Sequence, residues 1–442
     1  MKWTAVLCKR SLAFGWRSAW GSKKLQYPDY PPRIPKALID KGVEFVDPQE
    51  VVTRAGCTVS MCDPSGVEFV DPQKEEEREV WRPPVNDSRF YVPPKKQELW
   101  NYNEEPAFVC TPRICIHQGV KQAASLAKAQ VFEGLPPSVN RLVDTVDIDE
   151  TIELVLQRSI MQAQYWNPTK EKLPKRIDPR KPGWKFQAKY GIPAKLQAGI
   201  LARNLLRLCQ SQVTAYPSLA ERRHIHSPYI NSHFLYRDEP VVVRGLGEWL
   251  ITSNQPLPRF GDEDTVDASV NHALPDLYPL LPTIDLIQDH NYTLEHNLGM
   301  KTDWSHGQLH TLLLTDANHY KTDHRLGRDI LFCLGHAVAQ ARHKYGDVTT
   351  LPEPVCVQSV SMDHQTLNFV CFQLNTLATD TDNGVKNLVW VDGGNNLYHK
   401  ILGQPWMPKA IRFERLEDFN PTVFQKLMAL YLNGASELKS VR

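Results

Sequence analysis

The order of hydrophobic patterns between residues 328 and 434 constrains the fold of this chain more than any other feature. A helical pattern over Asp329–Tyr345 precedes three runs rich in β-branched and aromatic residues, and a second helical pattern closes the block. The runs are Pro354–Val360, Leu367–Leu374 and Val385–Val391, and the closing helix is Pro421–Leu432. A sheet with segregated helices on its flanks predicts an α+β fold with a mixed or antiparallel sheet.

Short polar segments predict the connections within this block. The segment Met362–Gln365 is predicted to join the first two strands as a hairpin, and the Gly-Gly-Asn-Asn sequence at 393–396 is a turn signal after the third strand. Asn420 and Pro421 form a helix-start signal, and Gly434 is the matching stop. The buried face of the closing helix is predicted to consist of Phe424, Leu427, Met428 and Tyr431.

Composition divides the chain into four segments. These are a basic start (1–25), a proline-rich arm (26–112), a helical region (113–223) and an α+β core region (224–442). The arm holds 13 of the 33 prolines, and prolines favour an extended backbone, so it is predicted to lie along a partner surface or to serve as a plain linker. The octapeptide GVEFVDPQ occurs twice in the arm, and no role is assigned to it.

Helices dominate the predicted first half of the globular part, and shorter strands follow. The predicted helices are Gln118–Glu133, Asp149–Trp166 and Ala194–Gln212, and the predicted strands are Pro240–Arg244 and His310–Leu314. The whole prediction is therefore an α+β protein whose helical half precedes its sheet.

The first 25 residues carry six basic side chains and no acidic one. Trp3, Leu7 and Phe14 fall on one face of a helical wheel, and serines are interleaved with the basic residues. A basic, serine-containing, acid-free amphipathic start is typical of a mitochondrial import signal. A disordered basic tail is the alternative. We therefore expect this chain to act in the mitochondrial matrix.

The charge of the remaining chain limits how it could meet nucleic acid. The full sequence has 51 basic and 50 acidic side chains, and without the six basic residues of the start 45 face 50, for a net charge of −5. A mildly acidic protein cannot coat nucleic acid with its whole surface, because phosphate binding requires positive charge. RNA contact is therefore expected to be local. No run of about 18 apolar residues is present, so no membrane span is expected.

The nine cysteines are scattered and do not form a zinc-binding pattern. Cys57 and Cys62 form one loose pair, and Cys110 and Cys115 form another with His117 nearby. Structural zinc sites usually need two tight pairs, often with two-residue spacing. These residues are therefore interpreted as ordinary free cysteines.

Four histidines, at 306, 310, 319 and 324, cluster in sequence. No carboxylate lies at a standard metalloenzyme spacing from them, so they are interpreted as surface or hydrogen-bonded histidines. We expect no catalytic residue, no metal and no cofactor, and hence a protein that is not an enzyme. A soluble matrix enzyme of hydrolase type that uses this histidine region is the alternative.

The strongest nucleic-acid signal is the basic loop at 168–190, between the second and third predicted helices. Eight basic residues fall within 20 positions, against two acidic ones, and aromatic residues are interleaved with them. Cations bind phosphates, and flat rings stack on unpaired bases. The candidate RNA-contact residues are Lys170, Lys172, Lys175, Arg176, Arg180, Lys181, Trp184 and Lys185. A solvated basic loop without a partner is the alternative.

Several segments of the globular part resemble the family of mitochondrial large-subunit ribosomal protein thirty-seven, which is shared with programmed cell death protein nine. They are RICIHQGVKQA (113–123), AVAQARHKYG (337–346), PVCVQSV (354–360), FQLNTL (372–377), GVKNLVWVD (384–392) and FQKLMALYLNG (424–434). The segment RPPVNDSRFYVPP (82–94) is similar to the extended N-terminal arm of that family.

This resemblance implies a structural component of the large subunit of the mitochondrial ribosome that supports mitochondrial translation. It also implies contact with large-subunit ribosomal RNA and with other large-subunit proteins, among them the paralogous family member. A free RNA-binding regulator is a further alternative to this structural role.

Overall fold

The computed structural model describes residues 36–42, 99–165, 171–172, 190–301, 307–316, 321–402 and 415–435. The chain divides into two units, of which the first ends at Val92. The described part of the first unit is a short helix, α1 (Lys36–Ile39), with its following turn. The remaining described residues belong to the second unit.

The second unit alternates between helices and strands along the chain. The strands are β1 (Tyr102–Cys110), β2 (Ala129–Glu133), β3 (Glu171–Lys172), β4 (Tyr190–Gly191), β5 (Arg223–His226), β6 (Tyr229–Tyr236), β7 (Glu239–Leu246), β8 (Trp249–Ser253), β9 (Ile287–Asn291), β10 (Gln308–Thr315), β11 (Thr350–Met362), β12 (Thr366–Thr376), β13 (Asn387–Asn396), β14 (Lys400–Leu402) and β15 (Arg415–Glu417). The α-helices are α2 (Gly119–Leu126), α3 (Pro137–Thr145), α4 (Glu150–Tyr165), α5 (Ala194–Gln210), α6 (Glu263–Ala268), α7 (Thr322–Tyr345) and α8 (Thr422–Leu432).

Two mixed sheets form the framework of this unit. The larger has seven strands in the order β2-β13-β12-β11-β10-β8-β5, and the smaller has four in the order β6-β7-β1-β9. Strands pair in parallel at β2 with β13, β10 with β11, and β1 with β7, and in antiparallel fashion elsewhere in both sheets. The predicted α+β class is therefore confirmed, with a mixed sheet.

Helix α7 lies between the two sheets. It contacts β11 and β12 of the larger sheet and β6 of the smaller one, and every residue from Arg325 to Ala341 is buried. The periodicity of the sequence predicts a single buried stripe, whereas the second face of the helix is buried as well. Small residues allow this, since a Cβ atom at Gly335 would lie 2.8 Å from the Val243 side chain. One face of the larger sheet packs on α7, and its other face packs on α3, α4, α5 and α8.

The prediction of one helix over Gln118–Glu133 is wrong in its second half. Helix α2 ends at Leu126, Lys128 has a φ angle of +46°, and the residues from Ala129 onward form β2. The alanine-rich composition favours helix locally, but β2 pairs in parallel with β13 and thereby completes one edge of the larger sheet. The helical region of the sequence thus contributes a strand to the sheet of the core region.

Residues 102–110 of the predicted extended arm are extended, but they form β1 inside the smaller sheet. Strand β1 lies between β7 and β9. The one proline within β1, Pro106, lies where the register with β9 shifts, so it does not interrupt a regular ladder. The folded part of the chain therefore begins before residue 113.

The core block follows its predicted order, but the unpredicted strands β14 and β15 lie between β13 and α8, and one predicted turn differs. Strands β11 and β12 form the predicted hairpin, and the Asp363 carboxylate accepts hydrogen bonds from the backbone N–H groups of Gln365 and Thr366, both at 2.7 Å. The predicted turn at 393–396 is instead the end of β13, where a bulge keeps the ladder with β12. Gly394 permits this bulge because its φ angle is +74°.

A buried ionic network fixes the start of α7. The guanidinium group of Arg328 donates to both carboxylate oxygens of Asp316, at 2.7 and 2.9 Å, and to Asp329 at 3.0 Å. Arg325 donates to Asp363 at 2.8 Å. Burial would lower the pKa of Arg328, but the charges of Asp329 and Asp316 outweigh it and raise the pKa instead. The network therefore ties α7 to the end of β10 and to the β11–β12 hairpin.

Replacing Arg328 with alanine is expected to destabilise the fold strongly. Asp316 and Asp329 would lose their shared cation inside the protein, and removal of one partner of a buried ion pair costs about 3–5 kcal/mol. Urea unfolding of the purified protein would measure the loss. The control is Arg342→Ala, which breaks a pair with the almost fully exposed Asp347 and should cost less than about 1 kcal/mol. Equal losses in the two variants would contradict the structural role of the network.

Candidate nucleic-acid interface

The predicted basic loop starts and ends at a small ladder of two strands. Strand β3 pairs antiparallel with β4, with Lys172 opposite Tyr190. This pairing brings the two ends of the segment 173–189 together between α4 and α5. Lys172 thus lies at the base of the loop. The other candidate RNA-contact residues are outside the described residues: Lys170, Lys175, Arg176, Arg180, Lys181, Trp184 and Lys185.

Helices α4 and α5 precede and follow this segment along the chain. The two helices pack on each other, and the amide of Asn204 donates to the side-chain oxygen of Gln162 at 3.1 Å. The apolar stripe predicted for α4 is largely buried, whereas the stripe predicted for α5 is buried only in part, since Leu196 is 38% exposed. The buried side chains include Leu156, Ile160 and Ala163 of α4 and Leu201, Leu205 and Cys209 of α5. Because these stripes face the core, the opposite face of α5 is available to a partner.

The exposed face of α5 is basic. Lys195, Arg203 and Arg207 are all exposed and lie within about 120° on a helical wheel. The helix contains no acidic residue. In the sequence, the whole stretch 179–220 holds seven basic residues and no acidic one. In the sequence, this face therefore continues the positive stretch that begins in the basic loop.

Two neighbours modify this face. Tyr190, whose ring could stack on a base, is 66% exposed. The Glu248 carboxylate approaches α5 near Gly199, where an added Cβ would lie 3.0 Å from it. Its second oxygen accepts a hydrogen bond from Thr315 at 2.9 Å, and His226 lies 3.8 Å from the first. One partly shielded acid thus lies beside an otherwise positive surface.

Sequence reasoning missed the three basic residues of α5. The predicted basic loop ends where the helical pattern begins, although the acid-free stretch runs on to residue 220. The signal was the absence of acid over that length. The helical period then places Lys195, Arg203 and Arg207 on the solvent side.

Two other lysines are not available to a partner. Lys128 and Lys386 are each only 2% exposed. The ammonium group of Lys128 donates to the carbonyl of Ala378 at 2.9 Å, and that of Lys386 donates to the carbonyls of Asp382 and Gly384 at 2.6 and 2.8 Å. Burial lowers the pKa of both groups. These cations hold the segment before β13 in place.

The histidine cluster is only partly described, and its described members do not meet. His306 and His319 lie outside the described residues. His310 is buried between the Thr311 hydroxyl, at 2.7 Å, and the carbonyl of Asn433, at 2.9 Å. His324 lies 3.3 Å from the Cys115 sulfur. Burial lowers the pKa of His310 well below its ordinary value, which fits a neutral histidine that stabilises the core.

The loose cysteine pair Cys110 and Cys115 is divided between two environments. Cys110 is fully buried, and burial raises the pKa of its thiol to about 12. Cys115 is half-buried beside His324. Among the described residues, no group of three or more histidine, cysteine or acidic side chains has the geometry to hold a metal ion. Cys57 and Cys62 lie outside the described residues.

None of the described helices combines the length and the apolar character needed to cross a bilayer.

Known proteins match the chain in its core block and along most of its length. The family model described as "Mitochondrial 28S ribosomal protein S30 (PDCD9)" matches residues 330–435. The Large ribosomal subunit protein mL37 of Rattus norvegicus is 32% identical over 79% of this chain and 80% of its own length. The proteins of the same name from Mus musculus and Bos taurus are also 32% identical, over 80% of this chain.

These comparisons agree on one class of protein, the ribosomal proteins. The family model carries a small-subunit name but covers only the core block, whereas the relatives that match most of the chain carry a large-subunit name. The chain belongs to the mL37 family of large ribosomal subunit proteins.

The buried histidines make the stability of the fold depend on pH. His336 is fully buried, its Nε2–H group donates to the carbonyl of Leu298 at 2.9 Å, and burial lowers its pKa to about 4. The unfolded chain binds this proton near pH 6.5 and the folded chain does not, so stability present at neutral pH is lost as pH falls below 6.5. At pH 5.5 the loss is about 1 kcal/mol for this one histidine.

Urea unfolding at pH 7.5 and pH 5.5 would measure this loss. The variant His336→Gln should show a smaller difference between the two pH values than the unmodified protein, by about 1 kcal/mol. The control His343→Gln, at an exposed position of the same helix, should leave the difference unchanged. An unchanged difference in His336→Gln would contradict the buried neutral state.

Proposed function

We propose that this chain is a structural component of the large subunit of the mitochondrial ribosome and supports translation in the mitochondrial matrix. The observation that carries the proposal is sequence identity of about a third to proteins named mL37, extended over about four-fifths of the chain. The match is not confined to the core block, so it includes α4, α5 and the segment between them. The basic, acid-free start of the sequence is consistent with import into mitochondria.

The proposed role is non-enzymatic. Several charged and polar groups of the described core bond to one another. Arg328 donates hydrogen bonds to Asp316 and Asp329, and His310 is hydrogen-bonded to Thr311 and to the carbonyl of Asn433. A scaffold that must hold one shape among many neighbours gains from such rigid networks.

Two kinds of partner are proposed. Large-subunit ribosomal RNA contacts the basic loop at 168–190 and the exposed face of α5, where positive charge is concentrated on a mildly acidic protein. Neighbouring large-subunit proteins, including the paralogous family member, contact other surfaces. The RNA proposal rests on the seven basic residues of the acid-free stretch 179–220.

Sedimentation tests the ribosomal role. A mitochondrial lysate is run on a sucrose gradient in Mg²⁺, in EDTA and after RNase treatment, and the tagged full-length chain is followed by immunoblot. We expect the chain to migrate with the large subunit and to move to lighter fractions after RNase. A chain that stays at the top with free matrix proteins would contradict the proposal, and stoichiometric zinc in it would favour the enzyme. A chain in small RNA complexes would favour the free RNA-binding regulator.

Charge removal tests the RNA contact. One variant carries Lys175→Ala, Arg176→Ala, Arg180→Ala and Lys181→Ala in the loop, and a second carries Lys195→Ala, Arg203→Ala and Arg207→Ala on α5. We expect the first to lose most binding of the purified chain to large-subunit RNA. The second should flatten the plot of log affinity against log salt by about 2, since each phosphate contact contributes about 0.7–0.9 to that slope.

The control matched to the α5 variant removes the same number of exposed positive charges, three, elsewhere. It carries Lys121→Ala, Lys301→Ala and Lys321→Ala, all at exposed positions outside the loop and α5. Its affinity and salt slope should remain close to those of the unmodified chain. An equal effect in the control would mean that net charge, rather than this surface, determines binding.

A further inference from the structure

Large apolar side chains are exposed together in the segment before β9. Exposed fractions are 87% for Tyr278, 61% for Leu281, 57% for Ile284 and 55% for Ile287, and Leu280 is 37% exposed. Single exposed apolar side chains are ordinary on protein surfaces, but a contiguous group of them marks an interaction site. We name Tyr278, Leu280, Leu281, Ile284 and Ile287 the 278–287 surface.

The backbone that presents this surface is held by internal hydrogen bonds. Turn bonds join the N–H of Leu280 to the carbonyl of Leu277 at 2.8 Å and the N–H of Ile284 to that of Leu281 at 3.0 Å. The fully buried side chain of Gln122, on α2, donates to the carbonyl of Pro282 at 2.7 Å. The apolar side chains therefore project from a fixed segment, which reduces the entropy lost on binding.

Side chains between the exposed positions anchor the segment to the protein. Leu286 lies in the main core, and Thr283 is buried. Asp285 accepts hydrogen bonds at 2.8 Å from both the backbone N–H and the ring of His117. The alternation of anchored and exposed residues shows that Leu281, Ile284 and Ile287 are not exposed because the segment lacks structure.

The 278–287 surface continues into an edge strand. Ile287 is the first residue of β9, and among the described residues β9 has a paired strand on one side only, β1. An exposed sheet edge offers backbone hydrogen-bonding groups to an extended segment of another chain. The apolar side chains and the open edge therefore lie next to each other.

Exposed carboxylates flank this surface in the sequence and along β9. Asp276 is exposed two residues before Tyr278, and its carboxylate accepts from the backbone N–H of Tyr278 at 2.9 Å. Glu104 and Glu105 are exposed on the β1 bulge that faces β9. Asp289 of β9 is paired with Arg244 at 2.8 Å. Carboxylates beside an apolar centre repel phosphates and attract lysine and arginine side chains.

We propose that the 278–287 surface docks a neighbouring protein through an extended apolar segment that lies along β9 and carries lysine or arginine on its flanks. This inference rests on the proposed function, which places the chain among other large-subunit proteins. It separates the surfaces of the molecule by chemistry: RNA meets the basic face of α5, and protein meets the apolar surface with acidic surroundings.

Photo-crosslinking in the assembled particle identifies what covers the surface. Leu281 or Ile284 of the tagged full-length chain is replaced by the crosslinking residue benzoylphenylalanine, and large subunits are purified, irradiated and digested. We expect crosslinks to a peptide of another ribosomal protein that has apolar residues with lysine or arginine on either side. Crosslinks to RNA, to a second copy of this chain or to its own residues 1–98 would overturn the proposal, as would the absence of crosslinks from assembled subunits.

Charge insertion measures how much assembly depends on this surface. The double variant Leu281→Glu and Ile284→Glu places two carboxylates in the proposed contact and should lower the fraction of the chain in the large subunit about tenfold. The matched control is Leu235→Glu, at a 50% exposed leucine on β6, the opposite edge of the same sheet. An equal loss in the control, or unchanged assembly of the double variant, would overturn the proposal.

Two controls keep the outcomes separate. The purified double variant should unfold within a few degrees of the unmodified chain, because both leucine and isoleucine side chains are exposed. If the unmodified chain itself is absent from the large subunit, the proposed function fails. The unmodified chain could assemble while positions 281 and 284 give no crosslink to a protein segment that carries lysine or arginine on its flanks. In that case the docking inference alone fails.

Discussion

The burial of α7 on all sides is the constraint on which the rest of this structure depends. A helix between two sheets buries apolar surface on both of its faces. Each sheet, in turn, buries one of its own faces against the helix. That position requires small residues where a neighbouring element lies close to the helix, such as Gly335 against the Val243 side chain. It also requires that charged side chains buried with the helix be paired, as the Arg328 guanidinium group is with the Asp316 carboxylate.

This arrangement explains why the core block contains so much structure and so little accessible chemistry. Its polar side chains are used internally: Gln358 donates to the Thr311 hydroxyl at 2.8 Å and to the carbonyl of Leu430 at 2.6 Å, which joins β11 to β10 and α8. Such groups stabilise one packing arrangement. The surfaces left for partners are then those outside the core, namely the face of α5 and the segment leading into β9.

Sequence patterns predicted the elements that have clear periods. Helix α5 and strand β12 agree with prediction in type and approximate bounds, because a helical period marks the first and a continuous apolar run marks the second. The buried face of α5 differs from the predicted stripe, since Leu196 is 38% exposed. The strand β2 was not predictable in this way. Its residues, Ala129–Glu133, follow an alanine-rich helix without a turn signal, and their extended form depends on pairing with β13, about 260 residues away. Tertiary pairing of that kind leaves no local pattern.

The same limit applies to the candidate sites. The basic loop was visible because its lysines and arginines are close together in the sequence. The 278–287 surface becomes evident only from side-chain exposure, since Leu286 and Leu281 look alike in the sequence but only Leu286 is buried.

The central claim is that this chain is a fixed part of the large subunit whose RNA and protein contacts lie on different surfaces. A cryo-EM reconstruction of the mitochondrial large subunit tests it most directly. The account predicts ribosomal RNA against Arg203 and Arg207 and a protein segment along β9, and it would be contradicted by subunits that lack this chain or by RNA against Leu281 and Ile284.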